Sequence, residues 1–204
     1  MEKSMTISYE IGNKLYMNIT NKCPCSCTFC IRNNGDGAYG SDSLWLQHDP
    51  SFEEIKNDLA KRKVTDYEEI IFCGYGEPTS RINELIMTAK LLKEIPGCPP
   101  LRLNTNGLSD CIHKRSTANE ICEVFDIISI SLNAGTEDEY LKVTRPAYSD
   151  AFTAMQKFTG DCVKTKSARV IMSVVDVIAQ DQIGASRSIA EKLGAEFRIR
   201  KYES

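Results

Sequence analysis

Short strand-like segments alternate with longer helix-like segments along the chain, and this alternation constrains the fold more than any other feature. The strand candidates are rich in Ile, Val, Phe or Tyr, and they lie at 15–20, 69–74, 101–105, 127–133, 169–175 and 197–201. Helical patterns lie between them at 51–62, 81–95, 116–124, 136–143, 151–159 and 181–193. Strands joined by helix-length connections pair in parallel, so the pattern predicts an α/β fold on an open, parallel, six-stranded sheet.

The length and the strand faces narrow this prediction. A complete eight-fold barrel needs about 250 residues, and this chain has 204. The candidates are therefore an open six-stranded partial barrel and a doubly wound sheet. Two strands carry a polar face, with Arg102, Asn104 and Asn106 on one and Ser129, Ser131 and Asn133 on the other. Half-polar strands indicate a face that lines a wet or ligand-filled concavity, although an antiparallel sheet with one solvated face is the alternative.

We expect a single domain across residues 1–204. A small additional strand is predicted within 6–13, where the Gly12-Asn13 pair marks a turn. Residues 31–50 contain a glycine-rich stretch, and we expect them to form a mobile loop.

The composition excludes several classes of function. The net charge of −3 argues against nucleic acid as the main partner, because phosphate binding needs a basic face. No apolar run approaches the length of a membrane span, and residues 1–4 lack the apolar stretch of a secretory signal, so we expect a cytoplasmic protein that binds no membrane. Nine cysteines, an odd number, suit a reducing compartment in which some thiols are buried and some bind metal.

A cysteine-rich loop follows the first predicted strand. Cys23, Cys27 and Cys30 have the spacing C-x3-C-x2-C. Thiolates are the usual ligands of iron–sulfur clusters, and three of them leave one iron of a cubane open to another ligand. An open metal position is typical of a reactive site.

Cys25 leaves alternatives open. It could serve as a fourth ligand, which would close the cluster or create an all-cysteine zinc site. We favour a structural role for Cys25, because two ligands separated by one residue bind the same ion awkwardly. A structural zinc site for the whole loop is disfavoured, because the sequence has no second pair of cysteines or histidines at zinc-binding spacing.

These residues resemble the signature of the radical S-adenosylmethionine (SAM) superfamily, C-x3-C-x-aromatic-C, with Phe29 as the aromatic residue. A second similarity is the segment Gly74-Tyr75-Gly76-Glu77, which resembles the Gly-Gly-Glu segment of that family. The stretch 15–32 and the segment Ser131-Leu132-Asn133-Ala134 look most like the TatD-associated radical SAM proteins. The resemblance implies a partial (β/α)6 TIM-type barrel with the cofactors at the C-terminal ends of the strands.

The resemblance also implies roles for individual residues. It makes Cys23, Cys27 and Cys30 ligands of a [4Fe–4S] cluster. It assigns the SAM amino group to the segment 74–77, in which the Tyr75 backbone rather than its side chain makes the contact. The full set of implied cofactor-binding residues is Phe29, Gly74, Tyr75, Gly76, Glu77, Asn104, Ser131 and Asn133.

The activity implied by the resemblance is reductive cleavage of SAM to a 5′-deoxyadenosyl radical, which abstracts hydrogen from a small molecule or peptide. An electron donor such as flavodoxin or ferredoxin is implied, and a TatD-type protein is a further partner suggested by the subgroup. The arginines at 32, 145, 198 and 200 are candidates to bind a carboxylate or phosphate of the substrate, although a surface ion pair is favoured for Arg32.

Two other functions remain as alternatives. A glycyl-radical activase is ranked lower, because such enzymes often carry extra ferredoxin-like cysteines that this sequence lacks. A non-catalytic zinc or iron–sulfur module would bind metal but not SAM, and the segment 74–77 argues against it.

Overall fold

The computed structural model describes residues 3–202 and consists of alternating strands and helices. The strands in this part of the chain are β1 (Ser8–Ile11), β2 (Lys14–Met17), β3 (Glu69–Phe72), β4 (Leu101–Thr105), β5 (Ile127–Ser131), β6 (Arg169–Val175) and β7 (Glu196–Arg200). The α-helices are α1 (Phe52–Leu59), α2 (Ile82–Lys93), α3 (Ser109–His113), α4 (Ala118–Val124), α5 (Glu137–Thr144), α6 (Ala151–Thr165) and α7 (Gln180–Leu193). Short 3₁₀ helices cover Ile31–Asn33, Val64–Asp66 and Pro78–Arg81.

The seven strands form one sheet in the order β1-β2-β3-β4-β5-β6-β7. β1 pairs antiparallel with β2, whereas β2 pairs with β3, β3 with β4, β5 with β6 and β6 with β7 in parallel. β1 and β7 stand at the two ends of this order, so the sheet is open and not a closed barrel. This confirms the predicted α/β fold, with β1 as the small N-terminal strand.

The chain divides into two compact units, and the first comprises 3–23, 31–104 and 124–126. Its core contains the fully buried side chains of β2 and β3, and Phe72 packs edge-on against Phe125 with ring centroids 5.1 Å apart. α1 begins where Ser51 and Glu54 form a reciprocal capping box, which satisfies two backbone N–H groups that the first turn leaves unpaired.

The second unit comprises 24–30, 105–123 and 127–202 and contains β5, β6, β7 and helices α3, α5, α6 and α7. In β5, Ile128 and Ile130 are fully buried, and Met172 of β6 lies in the same face of the sheet. Lys166 follows α6 and Gly194 follows α7 as the C-terminal capping residue. Both residues have the left-handed conformation that often terminates helices.

The main differences from the sequence prediction are at element ends. The strand predicted to reach residue 133 ends at Ser131, because Asn133 adopts a left-handed φ of 64°. Helix α3 was not anticipated, since a five-residue helix has too few turns to show periodicity. The expected mobility of 31–50 and the single domain across 1–204 stay predictions. Within 3–202, no helix combines the length and the apolar character needed to cross a bilayer.

Candidate functional site

The cysteine loop follows β2 and separates its cysteines by burial. Cys25 is 3% exposed, whereas Cys23, Cys27 and Cys30 are half-buried. The Cys25 sulfur accepts a weak hydrogen bond from the Asn106 side chain at 3.7 Å. The structure therefore distinguishes Cys25, a packed residue, from the three cysteines of the motif.

Backbone hydrogen bonds anchor the loop through the residues that stand between the motif cysteines. The N–H of Ser26 donates to the Thr144 carbonyl at 3.0 Å, and the N–H of Thr28 donates to the Val143 carbonyl at 2.9 Å. The N–H of Ala147 completes the set by donating to the Pro24 carbonyl at 2.8 Å. These three bonds are between backbone groups, so they anchor the loop whichever side chains its cysteines carry.

The donor chemistry of the three cysteines fits an iron–sulfur cluster, since thiolates are the usual protein ligands of such clusters. Among residues 3–202, however, no three His, Cys, Asp or Glu side chains are arranged to hold a metal ion. That finding concerns a single metal ion, whereas the cysteines of a cubane each bind a different iron, and Cys23, Cys27 and Cys30 lie on one loop.

A buried tyrosine lies near the loop in the same unit. Tyr140 is 1% exposed, and its backbone carbonyl accepts a hydrogen bond from the Thr144 hydroxyl at 2.7 Å. Burial raises the pKa of Tyr140, and the charge of a Cys25 thiolate would raise that pKa further. The phenol therefore stays neutral over the physiological pH range.

The segment 74–77 follows β3, and its first glycine lies against a buried polar side chain. A Cβ on Gly74 would overlap the side chain of Asn18, which is fully buried. The Asn18 oxygen accepts the Tyr75 N–H at 3.2 Å, and its nitrogen donates to the carbonyls of Thr6 and Leu44 at 3.1 and 2.8 Å. Asn18 therefore fixes the position of this segment.

The second glycine lies against the chain that leads into the cysteine loop. A Cβ on Gly76 would lie 2.7 Å from the Lys22 carbonyl oxygen and closer still to that of Thr20. The N–H of Glu77 donates to the Lys22 carbonyl at 2.7 Å. Only glycine permits this approach of two backbones.

The acidic side chain of Asp49 contacts the same stretch of chain. Asp49 accepts a hydrogen bond from the Thr20 hydroxyl at 2.8 Å and pairs with the Lys22 ammonium at 2.8 Å. Burial acts to raise the pKa of Asp49, but the bonds from Lys22 and Thr20 outweigh it, and the pKa lies below its ordinary value.

Glu77 is 4% exposed, and its carboxylate has a structural task. One oxygen accepts hydrogen bonds from the Thr79 N–H at 3.1 Å and the Thr79 hydroxyl at 2.8 Å. The bonds cap the 3₁₀ helix Pro78–Arg81. The sequence did not reveal this use of the carboxylate, because an N-cap glutamate is uncommon.

The Tyr75 side chain is directed into the loop that follows the cysteines. Its hydroxyl donates to the Gly35 and Gly37 carbonyls at 2.8 and 2.9 Å, and Trp45 packs edge-on at a centroid distance of 5.1 Å. Arg32 donates to the Tyr75 carbonyl at 3.4 Å. With 3% of its surface exposed, the tyrosine ring serves as a packing residue for this loop.

The remaining predicted cofactor residues include two with buried oxygen atoms. The side-chain oxygens of Asn104, near the end of β4, and of Asn133, beyond the end of β5, are buried and accept no hydrogen bond from residues 3–202. A buried acceptor without a donor costs about 1–3 kcal/mol. Each oxygen suits a ligand with hydroxyl or N–H donors. Ser131 is half-buried at the end of β5, and Phe29 is half-buried in the cysteine loop.

Several residues that shape the site were not singled out by the sequence. Asn18 and Thr20 were included in a strand, but β2 ends at Met17, and both are buried polar residues. The sequence offered one indication of this role, because Asn18 is a polar residue within the largely apolar stretch 15–20.

Comparison with known proteins identifies the family. A family model described as the radical SAM superfamily matches residues 17–172. The curated GTPase Obg of Brachyspira hyodysenteriae is 28% identical over 144 residues, which are 69% of this chain and 20% of that protein. The present sequence contains no Gly-Lys pair and hence no P-loop motif, so the match does not involve a phosphate-binding loop of that kind.

Solved structures share the fold at low sequence identity. The [FeFe]-hydrogenase maturase HydG has a TM-score of 0.64 and 12% identity, over 94% of this chain and 42% of that one. Streptococcus suis SuiB bound to S-adenosylmethionine has a TM-score of 0.56 and 13% identity, over 93% and 38%. This chain thus spans less than half of either structure and a fifth of the curated relative. Because the family model covers most of the sequence, the chain belongs to the radical SAM superfamily, whose enzymes use an iron–sulfur cluster and SAM.

Proposed function

We propose that this chain is a radical SAM enzyme in which Cys23, Cys27 and Cys30 hold a [4Fe–4S] cluster. When bound, the cluster and SAM supply a one-electron reductive cleavage that yields methionine and a 5′-deoxyadenosyl radical able to abstract hydrogen from a substrate. The observation that carries the proposal is the way the loop is held: its backbone is anchored at Ser26 and Thr28, and Cys25 is packed. Backbone anchoring of this kind supports the proposal because it fixes the loop that carries the three cysteines.

The segment 74–77 is proposed to bind the amino group of SAM. An ammonium is bound by carbonyl or carboxylate oxygens, and backbone can approach a ligand closely only where side chains are small. Gly74 packs against Asn18 and Gly76 against the backbone of Thr20 and Lys22, which fixes the backbone of this segment, and the Tyr75 ring packs away in the loop 35–45. The capping role of one Glu77 oxygen fixes the orientation of the carboxylate.

Asn104, Ser131 and Asn133 are proposed to contact the ribose and carboxylate of SAM, and Phe29 to contribute to cofactor binding within the loop. The support for the asparagines is their buried oxygens, because ribose hydroxyls are donors that could satisfy them. The residues themselves orient SAM and exclude water, and the cofactor carries the chemistry.

The finer assignments follow from the sequence resemblance. We propose that the chain is a TatD-associated radical SAM protein that acts on a small molecule or peptide in the cytoplasm. It would receive electrons from a flavodoxin or ferredoxin and would have a TatD-type protein as a partner. The cytoplasmic location is consistent with the proposed cluster, because the cytoplasm is reducing and the thiolate ligands of a cluster must stay reduced.

The proposal is tested by anaerobic reconstitution with iron and sulfide, reduction, addition of SAM, and measurement of 5′-deoxyadenosine by mass spectrometry. We expect 5′-deoxyadenosine from the wild type and none from Cys27→Ala. Cys111→Ala, at a half-buried cysteine outside the motif, is the matched control and should retain the product. A stable cluster that does not cleave SAM, or zinc in protein purified without air, would instead favour a non-catalytic metal module.

A further inference from the structure

Three polar side chains lie on one face of the neighbouring strands β2, β3 and β4. Tyr16 of β2 is in register with Ile71 of β3, which is in register with Arg102 of β4. Side chains alternate along a strand, so Asn104 lies on the same face as Arg102, about 6.6 Å farther along β4. The sheet thus brings Tyr16, Arg102 and Asn104 together on one side.

The Arg102 guanidinium is largely enclosed, yet it makes no hydrogen bond with residues 3–202. Its Nε lies 3.0 Å from a Glu69 oxygen, which pairs the two charges without the alignment of a hydrogen bond. The Nε is buried, whereas the side chain as a whole is 14% exposed, and the two terminal nitrogens are not enclosed. The N–H groups on these terminal nitrogens are therefore available to a ligand.

The Tyr16 hydroxyl is a second donor without a hydrogen-bond partner among the described residues. Its ring packs against Tyr9 with centroids 5.2 Å apart, and Tyr9 donates its own hydroxyl to the Cys73 carbonyl at 3.1 Å. Burial raises the pKa of Tyr16 to about 12, and the charges of Glu69 and Arg102 also act on this phenol, in opposite directions. The phenol therefore keeps its proton at neutral pH and remains a donor near Arg102.

The charged groups on this face of β2, β3 and β4 are two cations and one anion. One Glu69 oxygen lies 3.1 Å from the Lys14 Nζ, and the other lies 3.0 Å from the Arg102 Nε. The Glu69 side chain is 8% exposed, so one enclosed carboxylate is shared by two positive groups. A monoanion would balance the remaining positive charge. A phosphate monoester carries nearly two negative charges and would overcompensate it beside Glu69.

We propose that the substrate carries a carboxylate, which Arg102 binds through its terminal nitrogens and Tyr16 through its hydroxyl. A carboxylate accepts two parallel N–H bonds from a guanidinium, and its remaining lone pairs can accept the phenol. The inference rests on the proposed function, because hydrogen abstraction requires the substrate to lie beside SAM. Asn104, a proposed SAM contact, is two residues from Arg102 on the same face and would place the two ligands next to each other.

The test measures binding of two small probes, butyrate and methyl phosphate, to the full reconstituted chain with SAM and an oxidised cluster. Saturation-transfer NMR detects both probes through their methyl protons, so no turnover is needed. The variants are Arg102→Gln, Arg102→Lys and Tyr16→Phe, and Lys90→Gln, which removes an exposed charge from α2, is the control. Arg102→Lys keeps a positive charge beside Glu69, and Tyr16→Phe removes a hydroxyl that bonds to none of residues 3–202, so both variants should fold.

We expect the wild type to bind butyrate with a Kd of about 1 mM and methyl phosphate about fivefold more weakly. Arg102→Gln should weaken butyrate binding about tenfold, and Arg102→Lys should recover part of the loss, because lysine keeps the charge but not the paired donors. Tyr16→Phe should weaken butyrate binding about fivefold through the lost donor, and Lys90→Gln should stay within about twofold.

The proposal is overturned if butyrate does not bind, if methyl phosphate binds more tightly than butyrate, or if Lys90→Gln loses as much affinity as Arg102→Gln. A loss of SAM affinity in Tyr16→Phe as large as its loss of butyrate affinity would also overturn it, because these side chains would then bind SAM itself. SAM cleavage is measured separately. A wild type that binds butyrate without cleaving SAM would contradict the proposed function and not the carboxylate site, whereas cleavage without butyrate binding would contradict the site alone.

Discussion

The cysteine loop and the glycine segment 74–77 are fixed in different ways. The loop is held mainly by backbone hydrogen bonds, such as those from Ser26 and Thr28, which any residue other than proline at those positions would permit. The glycine segment is held by the Asn18 side chain and by an approach of Gly76 that leaves no room for a Cβ. The comparison teaches that the main anchors of the loop do not depend on the side chains at positions 26 and 28, whereas the glycine segment depends on the Asn18 side chain and on the lack of a side chain at position 76.

The largest effect on stability is expected from a substitution in the glycine segment 74–77. Gly76→Ala should lower the free energy of unfolding by about 3 kcal/mol, because the new Cβ meets backbone carbonyls that cannot move as a side chain can. Urea unfolding measures the change. Ser26→Ala, in the cysteine loop, should change it by less than about 0.5 kcal/mol, because its side chain is exposed. Equal losses in the two variants would refute the comparison.

A smaller loss is expected from Asn18→Ala. The substitution leaves a buried N–H and the two carbonyls of Thr6 and Leu44 without their partner, so we expect a loss of about 2 kcal/mol. SAM affinity should fall as well, because the segment 74–77 loses its fixed position. Asn21→Ala is the control. The Asn21 side chain also bonds to backbone of the stretch 31–50, at Leu46, but it has no hydrogen bond to the segment 74–77 among the bonds described. Unchanged SAM affinity in Asn18→Ala would argue against the role of this side chain.

The smallest effect concerns Asp49 and depends on pH. The folded-state pKa of Asp49 is lowered, so its contribution to stability is present above the unfolded pKa of about 3.9 and disappears as the pH falls through the folded value. Asp49→Asn should therefore cost about 0.5 kcal/mol at pH 7. The difference from the wild type should shrink below pH 4, as measured by thermal unfolding at several pH values. A difference that grows on acidification would contradict the assignment.

The sequence predicted the strands better than the local geometry of the site. β4 and β6 match the predicted ranges because their strand signals were regular. Asn133 was predicted to lie within a strand, but it has a left-handed φ of 64°, which asparagine adopts more readily than most residues, and its N–H donates to the Ser173 carbonyl of the next strand. The cysteine spacing was visible because it is local. The role of Asn18 in fixing the segment 74–77 was not visible, because its hydrogen-bond partners lie 12 to 57 residues away in the chain.

The central claim is that Cys27 is a cluster ligand and Cys25 a packing residue, although the two are separated by a single residue. The most direct measurement is the iron content and low-temperature EPR spectrum of reduced, anaerobically reconstituted Cys25→Ala beside Cys27→Ala. We predict about four iron atoms per chain and a SAM-sensitive signal in Cys25→Ala, and loss of both in Cys27→Ala. Loss of the cluster in Cys25→Ala, with retention in Cys27→Ala, would contradict the account.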